Sequence, residues 1–140
     1  PSVQAVLRSL SLTIAEVRKL GKRVVVVAPP PSGRFDMGDC EERRRSGRVY
    51  VAPGETECSL PYAEYVERNS QVLALLEQVA RNDNVEIIRF DDALCHSGTC
   101  ASSIDGVSVY GHHGHFSLGG SVAAARRIGL GEAIERLATK

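Results

Sequence analysis

KRVVVVAPPP, residues 22–31, is the stretch on which the fold turns. Four consecutive valines, Val24 to Val27, cannot alternate between a wet and a dry face, so the run reads as a strand buried on both faces, as a central parallel strand is. Pro29, Pro30 and Pro31 end it, because proline has no N–H to give to a ladder. Upstream, Val3, Val6, Leu7, Leu10, Ile14 and Val17 recur at helical spacing, and Gly21 supplies the stop. Downstream, Tyr65, Val66, Val72, Leu73, Leu76, Val79 and Ala80 mark a second helix over 62–82. NVEIIRF, residues 84–90, then reads as a second strand. Helix, strand, helix, strand predicts an α/β sheet.

Between the first strand and the second helix, residues 32–61 show no sustained period and carry PSG, RRRSGR and APGE. They read as a long polar loop with a short extended piece at RVYVA, residues 48–52. A loop of that length in a compact domain calls for a function or a cross-link. Beyond the second strand, ASSI and VSVY flank Asp105-Gly106, the two-residue signal of a tight hairpin. Ser117 is placed to cap a helix over LGGSVAAARRIG, residues 118–129, and EAIERLA, residues 132–138, follows as a short one. No repeat or low-complexity tract interrupts this order, so residues 1–140 read as a single domain.

The chain has 17 Lys and Arg against 17 Asp and Glu. That balance gives no global field for nucleic acid or an anionic membrane. No apolar run approaches the roughly 20 residues of a spanning helix, and nothing at the N-terminus has the charged-then-apolar form of a signal peptide. It begins Pro1-Ser2, and its one methionine is Met37. A processed product or a segment of a longer protein is therefore expected, with further elements upstream. Four cysteines allow three pairings. Their spacing favours Cys40 with Cys58 and Cys95 with Cys100, stabilising by about 3 and about 2 kcal/mol on loop-closure grounds. Such bridges imply an oxidising compartment; the alternative is four reduced thiols in a cytosolic protein.

Three of the four histidines crowd into YGHHGHFSLGG, residues 110–120. Cys95, His96, Cys100, His112, His113 and His115 offer ample metal donors, but CHSGTC and HHGH do not have the spacing of common zinc sites. A solvated loop is the plain alternative, and for His113 it is the favoured one. His115 has a stronger claim: it stands just before a helix N-terminus, where an imidazole can face the carboxyl ends of the strands and act as a general base. Ser117, as the cap, would hold that imidazole in place.

The succession FDDALCHSGTC (90–100), then DGVSVYGHHGHFSLGGS (105–121), resembles the end of the SGNH (GDSL-like) domain fused behind membrane acyltransferase-3 proteins that O-acetylate bacterial surface polysaccharides. TIAEVRKLGKRVVVVAPPP (13–31) and DMGDCEERR (36–44) match the preceding segment. The resemblance implies a three-layer, flavodoxin-like parallel sheet flanked by helices, incomplete at its N-terminus. It implies acyl transfer or ester hydrolysis on cell-envelope carbohydrate, with no cofactor and no metal. It places the catalytic histidine at His115 and puts His112 where an aspartate is usual.

A histidine at position 112 cannot orient its neighbour as a carboxylate does, and its charged form repels an imidazolium. Either His112 substitutes poorly as the second catalytic member, another carboxylate such as Asp91 or Asp92 approaches, or the protein works as a Ser-His dyad or not at all. No Gly-Asp-Ser block occurs, so the nucleophilic serine is expected upstream. The partners implied are an acyl donor, a carbohydrate acceptor and a fused or associated membrane acyltransferase domain, in a periplasmic or extracytoplasmic setting. The rival expectation is a degenerate, non-catalytic domain of the same kind that binds a carbohydrate or a protein.

Overall fold

The computed structural model describes residues 2–48, 58–112 and 114–138, with the backbone alone for Leu137 and Ala138. The elements run α1 (Val3–Lys19), β1 (Val25–Val27), α2 (Met37–Arg45), β2 (Leu60–Pro61), α3 (Tyr62–Asp83), β3 (Glu86–Ile88) and α4 (Asp91–Leu94). Then follow β4 (Cys95–His96), β5 (Thr99–Cys100), β6 (Ser103–Ile104), β7 (Val107–Ser108), α5 (Leu118–Arg127) and α6 (Leu130–Ala138).

Both long helices form where apolar residues recur at helical spacing. Ser2 caps α1 by accepting from the Ala5 N–H at 3.3 Å, and Gly21, at φ 70°, lets the chain turn out of it. Asn84, in the left-handed region at φ 48°, ends α3. The two helices pack on each other over Leu7, Ile14, Val79 and Val85, with Leu10, Leu75, Val24 and Val26 against them. Each such side chain fully buried stabilises the fold by about 1.5–3 kcal/mol. β1 and β3 pair in parallel, Val25 with Glu86, Val26 with Ile87 and Val27 with Ile88, with α3 in the crossover.

The valine run is not buried on both faces as its sequence suggests. Val24 and Val26 face the helices, whereas Val27 is 52% exposed. The reason is local: among the described residues β1 has β3 as its one neighbour, and the helix layer covers the Val26 side. The resulting fold mixes helix and strand as an α/β chain does, with its parallel pair packed on one side against α1 and α3.

The loop expected over 32–61 contains a helix, α2. Its sequence MGDCEERRR has no apolar stripe, which is why periodicity misses it. Its ends carry the signal instead: Asp36 accepts from the N–H groups of Gly38 and Asp39 at 2.9 and 3.1 Å, and Arg43, Arg44 and Arg45 fill the last turn. This is the charge order that complements a helix dipole. Met37, Gly38 and Glu41 are buried. Of the extended piece expected at 48–52, residues 49–52 lie outside the described residues.

A second cluster gathers Met37, Leu60, Tyr65, Leu73, Phe90, Leu94, Cys100, Ile104, Val109, Tyr110 and Ala124, and so joins α2, α3, α4, the small strands and α5. Cys95 and Cys100 are bonded, as are Cys40 and Cys58. The first pair does more than close a loop: β4 and β5 form a hairpin whose Ser97-Gly98 turn has positive φ at both residues, and β2 joins its open side. Asp105 and Gly106 turn β6 into β7 as their sequence predicts, at φ 49° and 78°.

Candidate functional site

The site is built where the second cluster reaches the surface. Tyr110 and Phe116 bridge across the mouth of a five-residue loop, and the Gly111 N–H donates to the His115 carbonyl at 2.8 Å. Within it the His115 N–H donates to the His112 carbonyl at 3.3 Å, so the two histidines stand at the ends of one turn. Gly114, at φ 74°, takes a conformation that a side chain would resist. Phe116 anchors the loop by packing edge-on against Phe90, ring centres 4.8 Å apart. Ser117 then starts α5: its Oγ accepts from the Gly120 N–H at 2.8 Å and donates to the Ser108 carbonyl at 2.7 Å. Its hydroxyl thus donates one hydrogen bond and accepts one within the structure.

Helix α2 lies directly on this loop. A Cβ on Gly38 would fall onto the Gly111 carbonyl, so only glycine allows the two backbones to meet. That contact brings Asp39 to the loop. The Asp39 Oδ1 and the His112 Nδ1 are 2.8 Å apart, across 73 residues of sequence. The hydrogen bond that the Asp39 carboxylate accepts, then its charge, raises the His112 pKa above the ordinary histidine value, and Glu42 and Asp36 add to the effect. The side chains of His112 and Asp39 are 70% and 40% exposed, so water screens the pair.

His115 is exposed, and among the described residues its ring has no hydrogen-bond partner. Neither Asp91 nor Asp92 is joined to it. Asp91 is buried and gripped by Arg89 at 3.0 and 2.7 Å, while Asp92 helps line a 310 Å³ cavity with Glu86, Arg127 and Arg136. His113 lies outside the described residues. His96 sits on β4, its Nε2 3.1 Å from the Ala93 carbonyl.

The thiolate donors of a metal reading are spent, since Cys95 and Cys100 are bonded to each other and cannot ligate. Asp39, Glu42 and His112 have donor atoms within 4.8 Å of one another. Two of the three already satisfy each other, and the group reads as a hydrogen-bonded pair with a carboxylate neighbour. Beneath the loop, the hydroxyls of Tyr65 and Tyr110 are buried with no hydrogen-bond partner among the described residues. Burial above all raises both phenols, Tyr65 to about 12.

The sequence singles out the histidine loop and Ser117 but gives no hint that Asp39 meets His112. The acidic residues stand out in DMGDCEE, where an N-cap aspartate is followed by acids three, five and six residues later. Nothing local says which loop they face. A family model described as an SGNH domain (fused to AT3 domains) matches residues 2–129. No curated protein and no solved structure matches the chain.

Proposed function

The chain belongs to the SGNH domains fused to AT3 domains, and from that membership we propose that it serves acyl transfer or ester hydrolysis on cell-envelope carbohydrate, with His115 as general base. The observation that supports the reading most is the place of His115, on a tight loop that runs straight into the Ser117-capped N-terminus of α5. In this reading a serine outside these 140 residues attacks the acyl carbonyl and gives its proton to His115. The imidazolium returns that proton to the leaving oxygen as the acyl-serine ester forms. A sugar hydroxyl, or water, then loses its proton to His115, attacks the ester, and releases the serine with the proton back on its oxygen. The two disulfides fit an extracytoplasmic compartment, and the partners are an acyl donor, a carbohydrate acceptor and a membrane acyltransferase domain.

His115→Ala in the full encoded protein tests this. Loss of a general base is expected to lower ester turnover by about 10²–10⁴-fold, measured with p-nitrophenyl acetate and with an acetylated polysaccharide. Unchanged turnover would refute it. The second reading, a non-catalytic carbohydrate- or protein-binding domain, draws on His112 at the usual aspartate position and on the lack of Gly-Asp-Ser in these residues. Polysaccharide binding by a full protein that turns over no ester would establish it.

A further inference from the structure

A histidine acting as base needs a partner that fixes its ring and balances the charge it acquires. His115 has no such partner among the described residues, but its loop does. Asp39 reaches across from α2 to His112, at the other end of the turn that His115 closes. We propose that Asp39 is a positioning residue for His115, acting through His112: it pins the loop to α2 and supplies the negative charge beside the turn. The inference rests on the reading of His115 as base.

Three features carry it. The turn is short, so holding His112 restrains His115: the Gly111 N–H to His115 carbonyl bond and the His115 N–H to His112 carbonyl bond close it from both sides. The helix that presents Asp39 is itself fixed, by the Asp36 cap at its start and by the backbone contact of Gly38 with Gly111. The charge also balances. A lone protonated His112 would oppose the imidazolium at His115, whereas His112 paired with Asp39 carries no net charge. Asp39, Glu42 and Asp36 each favour the protonated form of His112, Asp39 most of all. Because its pKa is raised, His112 holds the proton that the pair needs below the ordinary histidine value of about 6.5 and gives it up as pH climbs through the raised value.

The test uses the full encoded protein and p-nitrophenyl acetate. Asp39→Asn is expected to lower kcat by about tenfold or more, the scale found when an outer hydrogen-bond partner of a functional histidine is lost, with little change in KM. The acid limb of its pH–rate profile should move to lower pH, because His115 loses a nearby negative charge. Asp39→Asn with His112→Asp, which sets a carboxylate three residues before His115, is expected to recover both. His112→Asp alone faces the Asp39 carboxylate and should recover less than the double variant.

A purely structural role would lower stability without moving the acid limb and without rescue, and would overturn the proposal. An Asp39→Asn protein with parental kcat and pH profile, in which His115→Ala still abolishes turnover, overturns it while leaving the general-base reading intact. If His115→Ala leaves turnover unchanged, the general-base reading is what fails. The histidine titrations followed by NMR then decide on Asp39: a His115 titration that Asp39→Asn lowers supports the coupling, and one that it leaves in place overturns it.

Discussion

Glu41 shows how a single charged side chain is kept inside this fold. It is 2% exposed, yet its carboxylate accepts from the Ser102 hydroxyl at 2.6 Å and from Arg44 at 2.8 and 3.1 Å. Burial is the largest single influence and opposes the charge; the Ser102 bond and the Arg44 and Arg45 charges together outweigh it and hold the pKa below the ordinary value. A carboxylate lowered by folding stabilises above its unfolded pKa, about 4.3, and loses that contribution as pH falls through its folded value. Urea denaturation across the acid range is therefore expected to show stability falling below about pH 4.3, with Glu41→Gln flattening the slope. Ser102→Ala, which leaves one carboxylate oxygen without its donor, is expected to cost about 1–3 kcal/mol and to move the acid loss to higher pH. The opposite sign is expected at Tyr110. Its hydroxyl is buried without a partner among the described residues, so Tyr110→Phe should leave the denaturation midpoint unchanged or raise the stability by up to about 1 kcal/mol.

Among the elements, α2 does most to place the site and was the least legible in sequence. An added methyl at Gly38 would press on the Gly111 carbonyl, backbone against backbone, so helix or loop must shift. Gly38→Ala is expected to cost about 1–3 kcal/mol in chemical denaturation, as overpacking does. The elements that sequence revealed are those whose signal is local: α1 and α3 by their apolar spacing, the Asp105-Gly106 hairpin by its turn residues, α5 by its serine cap. What it hid depends on long-range partners. The α2 residues have no apolar stripe and are helical because of end effects and three buried positions. Likewise the Asp39 contact with His112 joins residues 73 apart, and no local pattern fixes such a pair. The valine run carries its strand locally, whereas its burial is set by neighbours, which is why Val27 is exposed.

Across the whole molecule the two apolar clusters divide the work. The α1, α3, β1 and β3 cluster contains no cysteine, while Cys100 belongs to the other and Cys95 packs against it. Cys58 is buried, and Cys40 lies in the helix that carries Asp39. Reduction is accordingly expected to loosen the half that bears the histidine loop first. On loop-closure grounds, Cys40→Ser with Cys58→Ser should cost about 3 kcal/mol and the Cys95, Cys100 pair about 2 kcal/mol. Hydrogen exchange with and without reductant would locate the loss, and protection lost first in α1 would contradict this division. The Cys40–Cys58 bond also decides how the molecule comes apart. It encloses positions 41–57, so one peptide-bond cleavage anywhere inside that span leaves two polypeptides tied through sulfur. A nicked chain then keeps the mass of an intact one apart from the added water. It runs as one band on a non-reducing gel and separates into two when reductant is added.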